Sequence, residues 1–206
     1  MTPATRAAPV RTCLSARSNR LSLVLCICAL CATSTIAASP LSAQQIKANE
    51  YQVKATYLYN FGKFVKWPPE VTADKSDSFA VCILGQDPFG TVLDTTLASE
   101  KLDGKPVVLR RISQPKDATD CRIVFISSAE DKHLKEILAA LDSFGALTVS
   151  DMHDFARRGG MIQFTAEGEK IRFEINLGSA ESAKLVLSSE LLKVAANVRK
   201  AAPAGD

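Results

Sequence analysis

Chemistry in this 206-residue chain would have to come from two histidines, six cysteines and a few short turns. His133 sits in "EDKHLKE", on a charged helical face, and reads as a solvated side chain. His153 sits in "SDMHDF" between Asp151 and Asp154. At the carboxyl end of a strand, where α/β folds place their sites, Asp151 or His153 could serve a hydrolase as acid or base. The plainer reading is a helix start capped by acids, which complement the helix dipole. "LGQDPFG", 84–90, is a glycine-bearing turn that could cradle a phosphate. It lacks the Lys-Ser/Thr of a phosphate loop, and Asp87 would repel the anion. "SQPK", 113–116, matches Ser-x-x-Lys but falls in a loop. Neither G-x-S-x-G nor G-x-G-x-x-G occurs. The sequence therefore predicts no catalytic residue, no metal and no cofactor. It points to binding or regulation rather than an enzyme. A small-molecule pocket, if there is one, is expected from loops that follow strands: Gly85, Asp87, Asp151, His153 and Phe155.

The cysteines divide by position. Residues 1–20 carry Arg6, Arg11, Arg17 and Arg20 and no acid, then "LSLVLCICALCA" gives an apolar run of a dozen residues. The small residues of "STIAASPLSA" follow. A basic start, a short apolar run and a small-residue exit make a secretory signal peptide, expected over 1–43 with cleavage between 37 and 43. The run is short for a membrane span, which needs about 20 residues. Cys13, Cys26, Cys28 and Cys31 leave with that segment. The 25 Lys+Arg less those four arginines leave 21 against 22 acids, so the apparent charge of +3 becomes about −1. No basic field remains for nucleic acid. Cys82 and Cys121 survive, and export places the chain in an oxidising compartment. They can form one intramolecular bridge or stay as two buried thiols.

The elements around these residues follow from pattern. Gln44 to Val65 reads as a helix stopped by Pro68-Pro69. "SFAVCILG", "KPVVLRRI", "CRIVFIS" and "ALTVS" read as four strands, and "MIQFTAEGEKIRFEI" as a hairpin around Gly168. Asp87-Pro88 should open a helix to about Ala98. Ser127 and Glu130 form a capping-box pattern before another helix. "HDFARR" reads as a short helix, and Ser179 to Lys200 as helical with a break near Ser188. Strand–helix alternation followed by a hairpin predicts one α/β domain over 44–200. Its sheet is mixed but mostly parallel, flanked by helices on its faces, with a late antiparallel hairpin and a helical C-terminus. Residues 201–206 read as a disordered tail.

All three tyrosines and the single tryptophan lie between Tyr51 and Trp67. Val53, Tyr57, Phe61 and Phe64 form one stripe of that first helix. Tyr51, Ala55, Leu58, Gly62 and Val65 form another. The apolar arc is wider than docking on one core requires. Either the helix is wedged deeply, or the second stripe meets a partner or second subunit, with Tyr51, Leu58, Val65 and Trp67 as candidate contacts.

Six motifs in order carry a family likeness: "EYQVKATYLYNFGKFVKWP", "FAVCILGQDPFG", "CRIVFIS", "LTVSDMHDFARRGGMIQF", "KIRFEINL" and "LVLSSELLKVA". Through them the chain resembles the YfiR family of periplasmic proteins from about Tyr51 to Val198. The resemblance implies a repressor that binds the periplasmic domain of an inner-membrane diguanylate cyclase. It lowers cyclic di-GMP and biofilm formation. An outer-membrane lipoprotein with a peptidoglycan-binding domain would sequester it. The resemblance also implies a homodimer and a bridge between Cys82 and Cys121, with no second redox pair in this chain. A periplasmic small-molecule sensor feeding another membrane transducer is the alternative.

Overall fold

The computed structural model describes residues 41–69, 77–168 and 170–200, with side chains from Asn49 onward. The expected signal segment up to residue 40 and the tail 201–206 lie outside them. No helix among the described residues is long and apolar enough to cross a membrane.

Helix α1 is Leu41–Phe64, and β1 (Val65–Lys66) follows at once. β2 (Phe79–Leu84) leads to α2 (Thr91–Leu97), then β3 (Lys101–Leu102) and β4 (Lys105–Ile112). β5 (Cys121–Ile126) leads to α3 (Leu134–Leu141) and β6 (Leu147–Ser150). β7 (Ile162–Glu167) and β8 (Lys170–Asn176) form the hairpin. Then come α4 (Leu177–Ser182), β9 (Val186–Leu187), α5 (Ser189–Val194) and β10 (Asn197–Arg199). The main sheet has eight strands in the order β10-β8-β7-β6-β5-β2-β4-β3. Strands β2, β4, β5, β6 and β7 run parallel, whereas β8 turns back on β7 and β3 on β4. β1 and β9 make a separate antiparallel pair.

β2 and β5 are buried along their whole length, and they read as apolar runs broken only by Arg122 of β5. Their side chains still alternate. Val81, Ile83, Ile123 and Phe125 join the core beneath α1 and α2. Ala80, Cys82, Leu84, Val124 and Ile126 join a second core beneath α3. The helices therefore cover both faces. Phe61 of α1 is fully buried, with Phe164 and Phe173 at ring-centroid distances of 5.8 and 5.1 Å. Burial of such a side chain contributes about 1.5–3 kcal/mol.

Cys82 and Cys121 are bridged, with Cα atoms 5.9 Å apart. The bridge joins neighbouring strands beside an irregularity where Ala80 faces Cys121 but Val81 faces Ile123.

Four local expectations are revised. Asp87 does not cap a helix at Pro88; its Oδ1 accepts the N–H groups of Phe89 and Gly90, and α2 begins only at Thr91. Ser127 accepts from the Ala129 N–H, but its own N–H donates to Leu84 O and is not free for Glu130. A 3-10 stretch, Ser128–His133, precedes α3. The segment "HDFARR" is a series of turns, because Asp154 has a left-handed φ of 55°. Lys184 does the same at φ 60°, ending α4, and the last described element is β10 rather than a helix. The Ala196 N–H donates to Phe173 O, so the last residues pair with β8. Pairing covers an edge that an added helical turn would leave open.

Candidate functional site

The carboxyl ends of the parallel strands carry acids, and each is held by a base from another element. After β2, Asp87 Oδ2 accepts from Arg111 Nε at 2.8 Å. Arg111 also reaches Asp94 Oδ2 at 2.5 Å and donates to Gly90 O at 3.2 Å. This hydrogen bonding from Arg111 holds the Asp94 carboxyl below its usual range, and the two carboxylates raise the arginine in return. After β5, Asp131 is paired with Arg158, whose second nitrogen donates to Asp131 O at 2.9 Å.

After β6, Asp151 meets the first helix. Its Oδ2 accepts from Lys54 Nζ at 2.8 Å and from the Tyr51 hydroxyl at 3.0 Å. Lys54 also contacts Glu50 Oε1 at 2.5 Å and lies 4.5 Å from the Tyr51 ring centre. Only 3% of Lys54 is exposed. Burial, then the charge of Asp151, raises the Tyr51 hydroxyl above its ordinary value. Tyr51 packs edge-on against Phe89, and Phe89 against Phe125, at 5.2 and 4.8 Å. An ion cluster backed by aromatic rings thus fastens α1 to the sheet.

The five pocket candidates have different surroundings. Asp87 and Asp151 are engaged as described. Phe155 is fully buried beneath Gly160, where a Cβ would strike its ring. His153 is exposed, and its Nδ1 faces Asp154 Oδ2 at 3.1 Å. Gly85 lies under Glu130. Among the described residues no group of three His, Cys, Asp or Glu could hold a metal.

The interface candidates are also relocated. Leu58 and Val65 are buried in the core, and Trp67 is buried with its ring 5.3 Å from Phe79. Tyr51 is half-buried and turned toward Asp151. The stripe offered to a partner is thus the packed one. The large apolar side chains that α1 exposes are Val53 and Phe64, at 37% and 38%. Sequence reasoning missed the buried cation at Lys54 because an i,i+4 pair with Glu50 is equally at home on a surface and its second acid, Asp151, lies 97 residues away.

Gly85 gives a sharp test of this end of the sheet. Its φ is +87°, and an added Cβ would lie 2.6 Å from Glu130 Oε1. Gly85→Ala should cost about 1–3 kcal/mol in urea unfolding. Adding Glu130→Ala should recover the clash but not the backbone strain. A variant as stable as the parent would refute the left-handed assignment.

Residues 51–196 match the YfiR/HmsC-like family model, DUF4154. The chain belongs to the YfiR/HmsC-like family. The match takes in the Tyr51–Lys54–Asp151 cluster, the disulfide and both cores, so this YfiR-like fold is the setting for every feature above. No curated protein matches the sequence. Among solved structures, a conserved domain protein from Vibrio cholerae O1 biovar El Tor aligns at TM-score 0.45 and 10% identity. An ABC domain in complex with L-Trp from Streptococcus pneumonia aligns at 0.45 and 9%. The alignments cover 64% and 62% of this YfiR-like chain, and it spans 57% of the length of each of those chains.

Proposed function

We propose that this YfiR-like protein is an exported regulator that binds and inhibits the periplasmic domain of an inner-membrane diguanylate cyclase. It thereby lowers cyclic di-GMP and biofilm formation. The observation that carries the reading is the family match over residues 51–196, which supports a periplasmic regulatory role. The bridged cysteines suit an oxidising compartment. The ion-paired strand ends favour recognition through the outer surface over chemistry in a cleft. Homodimerisation, and release through an outer-membrane peptidoglycan-binding lipoprotein, belong to the same proposal.

Deleting the gene should raise cellular cyclic di-GMP and surface attachment, and a plasmid copy should reverse both. An unchanged nucleotide pool, in cells shown to express the protein, would sink the cyclase reading. A neighbouring gene encoding transmembrane helices and a cyclase domain identifies the partner to purify with it.

A further inference from the structure

The exposed large apolar side chains among the described residues are Val53, Phe64, Val186 and Val194. Phe64 adjoins β1, Val186 opens β9 and Val194 closes α5, so three of them gather where the β1–β9 ribbon meets α5. Alternation along the ribbon explains their exposure. Val65 stands opposite Leu187, and both are buried; Lys66 stands opposite Val186, and both are exposed. The period continues beyond these pairs, with Phe64 and Lys184 exposed and Trp67 and Leu185 buried. One face of the ribbon therefore belongs to the core. The other presents Phe64, Lys66, Lys184 and Val186, and Val186 keeps 62% of its surface.

The charge on this outer face is one-sided. Lys63 and Lys193, next to Phe64 and Val194 in sequence, are exposed as well. Among the described residues none of these four lysines forms an ion pair. Lys63 instead lies 4.0 Å from the Tyr59 ring centre. The acids of the same stretches are Glu181 and Glu190, and Glu190 accepts from the Ser189 hydroxyl at 3.3 Å. Four lysines against two glutamates leave +2 over 63–66 and 181–194.

Composition decides the occupant. Protein interfaces are depleted in lysine and enriched in Trp, Tyr and Arg, and these two stretches hold none of those three. Lysines around exposed apolar side chains suit an anionic lipid surface. There each lysine gains from the surface potential, and apolar side chains enter the headgroup boundary. We propose that the outer face of the β1–β9 ribbon docks on an anionic phospholipid bilayer. Lys66 and Lys184 meet the phosphates, Lys63 and Lys193 add charge beside them, and Phe64 and Val186 enter the boundary. The contact is peripheral, and it holds whichever membrane protein the chain regulates.

Co-sedimentation with vesicles tests this, using the disulfide-bonded chain purified from the periplasm with its signal segment removed. Vesicles of phosphatidylglycerol with phosphatidylcholine should bind it at least about tenfold more tightly than phosphatidylcholine alone, and about 0.5 M NaCl should release it. Lys66→Glu with Lys184→Glu should weaken that binding at least about tenfold without lowering the melting temperature. Val186→Ser should weaken it severalfold. The same charge change near α3, Lys132→Glu with Lys135→Glu, should leave binding within about twofold of the parent. Absence of binding to the anionic vesicles overturns the proposal, as does equal binding to both vesicles or equal loss from the two charge-reversed pairs. So does a ribbon variant that keeps its vesicle binding but no longer binds the purified periplasmic domain of a cyclase, which would assign the face to a protein partner.

Discussion

Replacing Lys54 with methionine should destabilise the protein by about 3–5 kcal/mol, although methionine matches the length of the lysine stem. Lys54 is almost fully buried between Glu50 and Asp151. Removing the cation leaves Asp151, whose side chain is only 13% exposed, with the Tyr51 hydroxyl as its remaining side-chain partner among the described residues. A buried charge without its partner costs more than the pair contributes, because desolvation is no longer offset. Asp151→Asn should cost less, since Lys54 keeps Glu50 at 2.5 Å and asparagine still accepts from Tyr51. The double variant Lys54→Met with Asp151→Asn should recover much of the loss. Urea unfolding of the four proteins measures the coupling directly. A single Lys54→Met variant within about 0.5 kcal/mol of the parent, the usual scatter of an uncoupled surface change, defeats the account.

That cluster also marks where sequence reasoning stopped. Lys54 sits between Val53 and Ala55, and it lies on the arc with Ala55, Leu58 and Phe61 that α1 buries. The position was legible on the helix; the partner was not, because spacing says nothing about a contact across 97 residues. β2 and β5 were legible because a strand buried on both faces has no polar alternation to confuse it. The hairpin was legible for the opposite reason, since β8 alternates Ile171, Phe173 and Ile175 against Arg172 and Glu174. The failures cluster at Asp154 and Lys184, where non-glycine residues take positive φ. Local bonds hold both, with Leu185 N–H donating to Ala180 O behind Lys184 and Arg157 N–H to Asp154 O, but a non-glycine residue at positive φ is uncommon enough that propensity does not single these positions out. The same limit applies to partner contacts. Apolar width on α1 was visible, but whether it served a core or an interface depended on α4, α5 and β8 closing over it.

The disulfide carries the second large effect. Replacing both Cys82 and Cys121 with alanine should lower stability by about 4 kcal/mol, from a sequence separation of 39. For a domain of this size that corresponds to roughly 8–16 °C in melting temperature. The closed loop contains α2, β3 and β4, so the bridge confines the whole excursion by which the chain leaves β2 and returns beside it as β5. In the unfolded chain those ends are free to separate; in the oxidised chain they are not. The parent protein scanned in reductant should therefore fall toward the melting temperature of the alanine variant, while the variant itself should not respond to reductant. A variant melting within about 2 °C of the oxidised parent would show that the constraint contributes little. The two packed cores lie on opposite faces of β2 and β5, and alanine at both positions removes only sulfur from one of them. The alanine variant should accordingly keep its fold and lose margin, which separates a stability role for the bridge from any role in recognition. If the reduced protein, well below its transition, still binds the partner proposed above, the bridge acts through stability alone.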